Sequence, residues 1–213
     1  MFYKWVGYPV TKALLAIGLF LLGPVRIRGR KNVPRSGGLL VISNHLSDCD
    51  PAVIGHALPR HSNFMAKREL FDIPILSWII RTLQAFPVNR GSPDRAAIRK
   101  TVELLQKGEA VVVFPEGQLS EDGALQPLMP GVAMIVARSG ASVICAGLVG
   151  TTRIIPYRSV WPRPALGGVS IEFGKAKAFE HGASSSEILE WMSDQLRQLT
   201  GASLDSEARD EVK

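Results

Sequence analysis

The segment Leu39-Leu-Val-Ile-Ser-Asn-His-Leu-Ser-Asp-Cys-Asp50 decides the fold, because an apolar run ends there in a polar cluster. The run is typical of a buried strand, and Pro51 with the apolar residues after it is typical of a first helical turn. A strand-to-helix turn can bring the Asp50 carboxylate onto the His45 imidazole, where it fixes the tautomer and stabilises the imidazolium. The pattern predicts His45 as a general base oriented by Asp50. The alternative is that Asp50 caps the helix and His45 is an ordinary hydrogen-bonded histidine.

Size and charge restrict the class of protein. The chain has 213 residues, of which 46% are hydrophobic and 21% charged, enough for one domain with an appendage. The 25 basic residues exceed the 19 acidic ones, which favours an anionic partner such as a phosphorylated small molecule or an acidic membrane. We expect no nucleic acid partner, because the basic residues are scattered and no zinc-finger or helix-turn-helix signature occurs.

The two cysteines, Cys49 and Cys145, have neither metal-ligand spacing nor a disulfide pattern. They predict a reducing compartment and no metal. Cys49 lies near His45 in sequence, but no motif of a thiol nucleophile surrounds it, and most cysteines are small apolar fillers.

Residues 1–28 form a predicted N-terminal membrane anchor. Aromatic and basic residues bracket the apolar run Ala13–Leu22, which is shorter than the roughly 20 residues that a spanning helix needs. Amphipathic rings and cations suit a helix that lies in the membrane interface. We therefore expect a monotopic protein on the cytoplasmic face of a membrane. The alternative is a helix packed on the core; a signal peptide is disfavoured, because no Ala-x-Ala-type cleavage site follows the run.

Strand and helix patterns alternate through the rest of the chain. This alternation predicts the α/β class, with a mixed, largely parallel sheet flanked by helices and an N-terminal membrane-interface helix. Residues 29–200 form the predicted domain, and residues 201–213 a disordered tail. The predicted strands after the first are Ser62–Ala66, one that ends within Phe86–Arg90, Ala110–Phe114, Ser142–Val149 and Val169–Phe173. The predicted helices are Pro51 onwards, Pro74–Leu83, Asp94–Lys107, Gly131–Arg138 and one capped by Ser184 and Glu187.

Four short blocks follow one another, each at a predicted strand end. They are His45-x-x-x-x-Asp50, Phe64–Leu70, Phe86–Arg90 and Phe114–Gly117. In this order they resemble the glycerophospholipid acyltransferase family, which includes 1-acylglycerol-3-phosphate acyltransferases, and the resemblance runs from about Gly29 to Val149. Ligands of open α/β sheets bind at the carboxyl ends of the strands, which is where these blocks fall.

The resemblance implies an acyltransferase of phospholipid synthesis. His45 would deprotonate the hydroxyl of a lysophospholipid, which attacks the thioester of acyl-CoA or acyl-carrier protein, with no further cofactor. Lys67 and Arg90 match positions that bind phosphate, a task suited to a compact cation and a planar donor. The acceptor-binding block is matched by Glu116 and Gly117. The alternative to phosphate binding for Arg90 is that it is an ordinary charged residue on the surface.

Two departures from the family pattern concern the acceptor pocket. Leu119 stands where the family commonly has an arginine, so the acceptor headgroup is left open unless another arginine, such as Arg153, supplies the charge. Val143–Gly147 lacks a usual proline, which alters the wall of the pocket. Two other classes compete with the transferase: a thioester hydrolase, although no Gly-x-Ser-x-Gly elbow occurs, and a non-catalytic lipid-binding module.

Overall fold

The computed structural model describes residues 8–82, 84–89, 94–159 and 161–201. These residues form seven strands and six α-helices joined by loops and short 3-10 helices. The strands are β1 (Val25–Arg28), β2 (Leu39–Ser43), β3 (Ser62–Lys67), β4 (Ala85–Val88), β5 (Ala110–Val113), β6 (Ser142–Val149) and β7 (Val169–Phe173). The helices are α1 (Tyr8–Leu22), α2 (Asp50–Ala57), α3 (Pro74–Thr82), α4 (Arg95–Gln106), α5 (Gly131–Ser139) and α6 (Ser185–Thr200).

The strands of the described residues form one sheet in the order β1-β7-β6-β2-β5-β3-β4. Strands β2 to β6 run parallel, whereas β7 is antiparallel to β6 and pairs in parallel with β1. The predicted α/β class with a mixed, largely parallel sheet is confirmed. Because β2 lies between β5 and β6, the segment that follows it emerges at the centre of the carboxyl edge.

Strand β2 is buried on both faces of the sheet. Leu39 and Val41 pack with α1 and α2 on one face, and Leu40 and Ile42 pack with α4, α5 and α6 on the other. All four side chains are fully buried. A continuous apolar run of this kind is typical of a central parallel strand, and it holds the residues after Ser43 rigidly in place.

Helix α1 covers one face of the sheet without being wholly buried. Leu19 lies in the core, and Lys12 Nζ donates to the carbonyl of Leu58 over 2.5 Å, which fastens α1 to the end of α2. Burial lowers the pKa of Lys12, and the nearby Arg30 lowers it further. Among the described residues, no helix is both long and apolar enough to cross a bilayer.

Most predicted elements occur within a residue or two of their expected bounds. The clearest addition is β1: Val25–Arg28, which the sequence assigned to the N-terminal anchor, pairs with Val169–Glu172 as an edge strand. The predicted start of α6 is confirmed with Ser184 as the N-cap residue, since Ser184 Oγ accepts from the amide of Glu187 over 3.1 Å. The predicted disordered tail lies outside the described residues from residue 202 onwards, and residues 1–7 of the anchor also lie outside them.

Candidate active site

His45 and Asp50 meet at the carboxyl edge of the sheet. Nδ1 of His45 lies 2.9 Å from Oδ2 of Asp50, and both side chains are nearly inaccessible to solvent, at 6% and 0% exposure. A carboxylate oxygen accepts, so Nδ1 is the donor in this pair and Nε2 keeps its lone pair. The arrangement can remove a proton through Nε2 while the carboxylate stabilises the imidazolium.

The carboxylate of Asp50 is held by the turn that it closes. Its Oδ2 also accepts from the amides of Leu46 and Ser47, over 2.6 and 2.9 Å. Helix α2 begins at Asp50 with Cys49 as the N-cap residue, and Cys49 makes no side-chain cap bond. The alternative in which Asp50 serves as a helix cap is therefore wrong, because its bonds go to His45 and to the two amides before it.

The imidazole of His45 is also held from the side. It stacks on the ring of Phe114, with 4.0 Å between ring centroids and 18° between planes. The carbonyl of His45 accepts from the amide of Ser120 over 2.8 Å. Phe114 follows β5 directly, so the neighbouring strand supplies both a wall for the ring and an anchor for the main chain.

Glu116 bridges two segments of main chain. Oε1 accepts from the amide of His45 and Oε2 from the amide of Gln126, each over 2.9 Å. Burial raises the pKa of Glu116 to about 7; Asp50 adds a smaller increase, and the two amides act in the opposite direction. Both oxygens accept from main-chain amides, so Glu116 positions the residues around His45; its contact with an acceptor stays a prediction.

Gly117 occupies a conformation that favours glycine. Its φ is +72°, and a Cβ built on it would lie 2.8 Å from Sδ of Met129. Its amide donates to the carbonyl of Phe114 over 3.2 Å, closing the turn after β5. The amide of Gly117 is therefore already hydrogen-bonded within the chain. Its contact with a ligand oxygen stays a prediction. Leu119 lies two residues further on and is half-buried.

The predicted phosphate site lies two strands from His45. Lys67 ends β3 and is 45% exposed, with Nζ 3.7 Å from the carboxylate of Glu69. Arg90 lies outside the described residues. Arg68, which was not predicted as a site residue, donates from Nε to Oδ1 of Asn89 over 2.7 Å, and Asn89 directly follows β4. A second cation is thus fixed at the same edge as Lys67, in the corner between β3 and β4.

Arg153 does not lie in this corner. It follows β6, on the other side of His45 from Lys67, and its guanidinium donates to the carbonyl of Gly168 over 3.1 Å. Cys49 is buried beside Ser47, with 3.3 Å between Sγ and Oγ. Burial raises the pKa of the Cys49 thiol to about 11, which disfavours the thiolate that a nucleophile needs.

Asn44 is the residue at the site that sequence reasoning missed most clearly. Its side chain donates to the carbonyl of Leu148 over 3.0 Å and accepts from the amide of the same residue over 2.8 Å. It thereby continues the pairing of β2 with β6 for one more residue after the strand ends. An asparagine between the strand and His45 was the available signal, but its partner lies 104 residues away.

Comparison with known proteins assigns the family. A model of the acyltransferase family matches residues 24–151. A 1-acyl-sn-glycerol-3-phosphate acyltransferase of Bacillus subtilis is 32% identical over 145 residues, which cover 67% of this chain and 71% of that protein. A chloroplastic enzyme of the same name from Arabidopsis thaliana is 31% identical over 153 residues, covering 70% of this chain. The chain belongs to the acyltransferase family.

The matched segment spans 43% of the Arabidopsis protein, less than half of its length. In three dimensions the chain is similar to the crystal structure of the 1-acyl-sn-glycerophosphate acyltransferase from Thermotoga maritima, with a TM-score of 0.78 at 24% identity. The superposition covers 92% of this chain and 79% of that one. At this identity the likeness establishes the fold.

Proposed function

We propose that the protein transfers a fatty acyl group from a thioester, acyl-CoA or acyl-carrier protein, to a hydroxyl of a lysophospholipid such as 1-acylglycerol-3-phosphate. The observation that carries the proposal is the His45–Asp50 pair at the carboxyl edge of the sheet, in a chain of the acyltransferase family. The names of the Bacillus and Arabidopsis relatives support this acceptor.

In the proposed reaction His45 acts as general base. Nε2 takes the proton of the acceptor hydroxyl as its oxygen attacks the thioester carbon, and the Asp50 carboxylate stabilises the imidazolium that forms. Collapse of the tetrahedral intermediate breaks the carbon–sulfur bond, and the proton passes from the imidazolium to the leaving thiolate. No acyl-enzyme forms, in agreement with the high pKa of the Cys49 thiol, and no metal or cofactor takes part.

Lys67 is the proposed partner of the acceptor phosphate, together with Arg90. Lys67 is half-exposed at the end of β3, and its ion pair with Glu69 is long, at 3.7 Å, so a phosphate can compete for it. Arg68 lies in the same corner and adds positive charge. We expect Lys67→Ala to raise KM for 1-acylglycerol-3-phosphate with little change in kcat. Lys107→Ala should change neither, because Lys107 is an exposed lysine at the C-cap of α4, before β5 begins.

One assay distinguishes the proposed transferase from a thioester hydrolase and from a non-catalytic lipid-binding module. Purified protein is incubated with acyl-CoA, with and without 1-acylglycerol-3-phosphate, and thiol release and diacyl product are both measured. A transferase releases thiol only with acceptor and forms the diacyl lipid in equal amount. Equal thiol release without acceptor, yielding free fatty acid, would identify a hydrolase. Absence of thiol release both from acyl-CoA and, in a parallel reaction, from acyl-carrier protein would identify a lipid-binding module.

We also propose that α1 holds the protein in the interface of a membrane, on the cytoplasmic face. Leu14 and Ile17 lie on its exposed side, a position at which a helix in water usually has polar residues. Deleting residues 1–28 would remove β1 and take Leu19 from the core. Leu14→Glu with Ile17→Glu is therefore the sharper test, and unchanged co-sedimentation with anionic vesicles would contradict this role of α1.

A further inference from the structure

Among the exposed large apolar side chains of the described residues, two groups stand far apart in sequence, on α1 and on the loop after β6. On α1, three of them lie on the side opposite the buried Leu19 and a fourth, Phe20, lies about 100° from it around the helix. On the loop of residues 161–168 there are two more. A polar face is the rule for a helix in contact with water, and clustered exposed apolar groups mark a binding surface. The six residues are Leu14, Ile17, Phe20 and Leu21 of α1, and Trp161 and Leu166 of the loop.

The loop is fastened to the end of α1. The amide of Ala165 donates to the carbonyl of Leu22 over 2.5 Å, and the amide of Val169 donates to the carbonyl of Pro24 over 3.1 Å. Leu166 is therefore one residue from a direct bond to the helix end, and it is 88% exposed. The exposed side chains of α1 and of the loop thus belong to neighbouring parts of the surface.

Charge identifies the partner of this surface. Residues 1–47 and 151–171 contain ten of the 25 basic residues and none of the 19 acidic ones. The rest of the chain has 15 basic and 19 acidic residues, so the positive charge of the protein is concentrated in the two segments that carry the exposed apolar groups. Exposed apolar and aromatic side chains among arginines match a bilayer with anionic headgroups.

We propose that the loop 161–168 and the exposed side of α1 form one docking surface for an anionic phospholipid bilayer, with Trp161 and Leu166 inserted at headgroup depth. The proposal rests on the proposed function, since a bilayer is where a lysophospholipid acceptor resides. It adds a second membrane contact, distant in sequence from the N-terminal helix.

The docking surface is connected to the candidate active site. The amide of Arg163 donates to the carbonyl of Ile154 over 2.9 Å, and Oγ of Ser47 donates to the carbonyl of Ile155 over 2.7 Å. Ser47 lies in the turn between His45 and Asp50. Insertion of the loop therefore fixes the orientation of this turn relative to the bilayer from which the acceptor comes.

The test compares the full-length double variant Trp161→Ser/Leu166→Ser with the wild type. Binding is measured on vesicles of equal parts phosphatidylcholine and phosphatidylglycerol. Turnover is measured on a short-chain acyl-CoA and a short-chain 1-acylglycerol-3-phosphate dispersed below their micelle-forming concentrations. Met134→Ser is the matched control, because Met134 is an exposed apolar residue of α5 on the opposite face of the sheet. Quenching by brominated lipid, compared between the wild type and Trp161→Phe, reports the depth of Trp161.

We expect the double variant to bind these vesicles on the order of tenfold more weakly or worse, with dispersed-substrate turnover unchanged and Met134→Ser like the wild type in both. Unchanged vesicle affinity, unquenched Trp161, or loss of dispersed-substrate turnover would overturn the docking surface. Loop-dependent binding to acyl-carrier protein with none to vesicles would do the same. A wild type without transferase activity that still needs the loop for vesicle binding would refute the proposed function and leave the surface standing.

Discussion

Asp50→Asn separates the charge of Asp50 from its position. The amides of Leu46 and Ser47 hold Oδ2, and an asparagine oxygen in the same place can still accept from them and from Nδ1 of His45. The tautomer of the imidazole is then kept, and what disappears is the negative charge that stabilises the imidazolium. A hydrogen bond to a charged group contributes about 1.5–3 kcal/mol and a neutral one about 0.5–1.5 kcal/mol.

The difference in free energy between a charged and a neutral hydrogen bond to Nδ1 grows as the imidazole takes up a proton. We therefore expect Asp50→Asn to lower kcat/KM by roughly 10- to 100-fold, equivalent to about 1.4–2.8 kcal/mol. Asp50→Ser should lose more, because the shorter side chain leaves the imidazole without a partner. Stability should also fall, by about 1–3 kcal/mol for Asp50→Asn, because the three donors that bind Oδ2 lose a charged acceptor.

The assay is acceptor-dependent thiol release over a range of acyl-CoA concentrations, with chemical denaturation measured in parallel. Asp48→Asn serves as the control, since Asp48 lies on the same turn and is exposed. Wild-type kcat/KM in a folded Asp50→Ser protein would refute the argument that this carboxylate acts on His45.

Two further predictions concern the turn after β5. Burial raises the pKa of Glu116 from 4.5 to about 7, so the folded state retains a proton that the unfolded state releases at lower pH. The free energy of unfolding of the wild type should therefore fall by about 3 kcal/mol relative to Glu116→Gln as the pH rises through this window; parallel pH profiles by denaturation would contradict it. Leu119→Arg should raise the preference for 1-acylglycerol-3-phosphate over a lysophosphodiester by on the order of 1.5–3 kcal/mol. The measurement is the ratio of the kcat/KM values for these two acceptors in the wild type and in the variant. If the wild type already strongly prefers 1-acylglycerol-3-phosphate and the ratio is unchanged in the variant, the residue at position 119 does not determine the headgroup preference.

Local pattern was sufficient to predict most of the sheet. The runs at Leu39–Ser43 and Ser142–Val149 are continuous and apolar, and strands buried on both faces carry this signature wherever they occur. Strand β1 was missed although Val25–Arg28 alternates in period two, because it is short and lies beside a basic, glycine-containing connector. Its partner β7 lies more than 140 residues later, and β7 runs antiparallel to β6, a direction that the local pattern of Val169–Phe173 does not encode.

The pairing of His45 with Asp50 was predictable because five residues and a proline determine a local turn. The contacts that hold this turn were not predictable. Glu116 reaches the amide of His45 across 71 residues, and Asn44 reaches Leu148 across 104. A single sequence contains no signal that joins such positions, so the two main-chain donors of the Glu116 carboxylate could not be predicted. The acceptor contact of Glu116 that the resemblance implies stays a prediction.

Activation of the acceptor hydroxyl by His45 is the claim on which the proposed function depends. It can be measured as thiol release from acyl-CoA in the wild type and in His45→Ala, each with and without 1-acylglycerol-3-phosphate, with the fold of both proteins verified by circular dichroism. We predict that release in the wild type requires acceptor and that His45→Ala lowers it by roughly 100- to 10,000-fold. A folded His45→Ala protein that retains the acceptor-dependent rate of the wild type would contradict the claim.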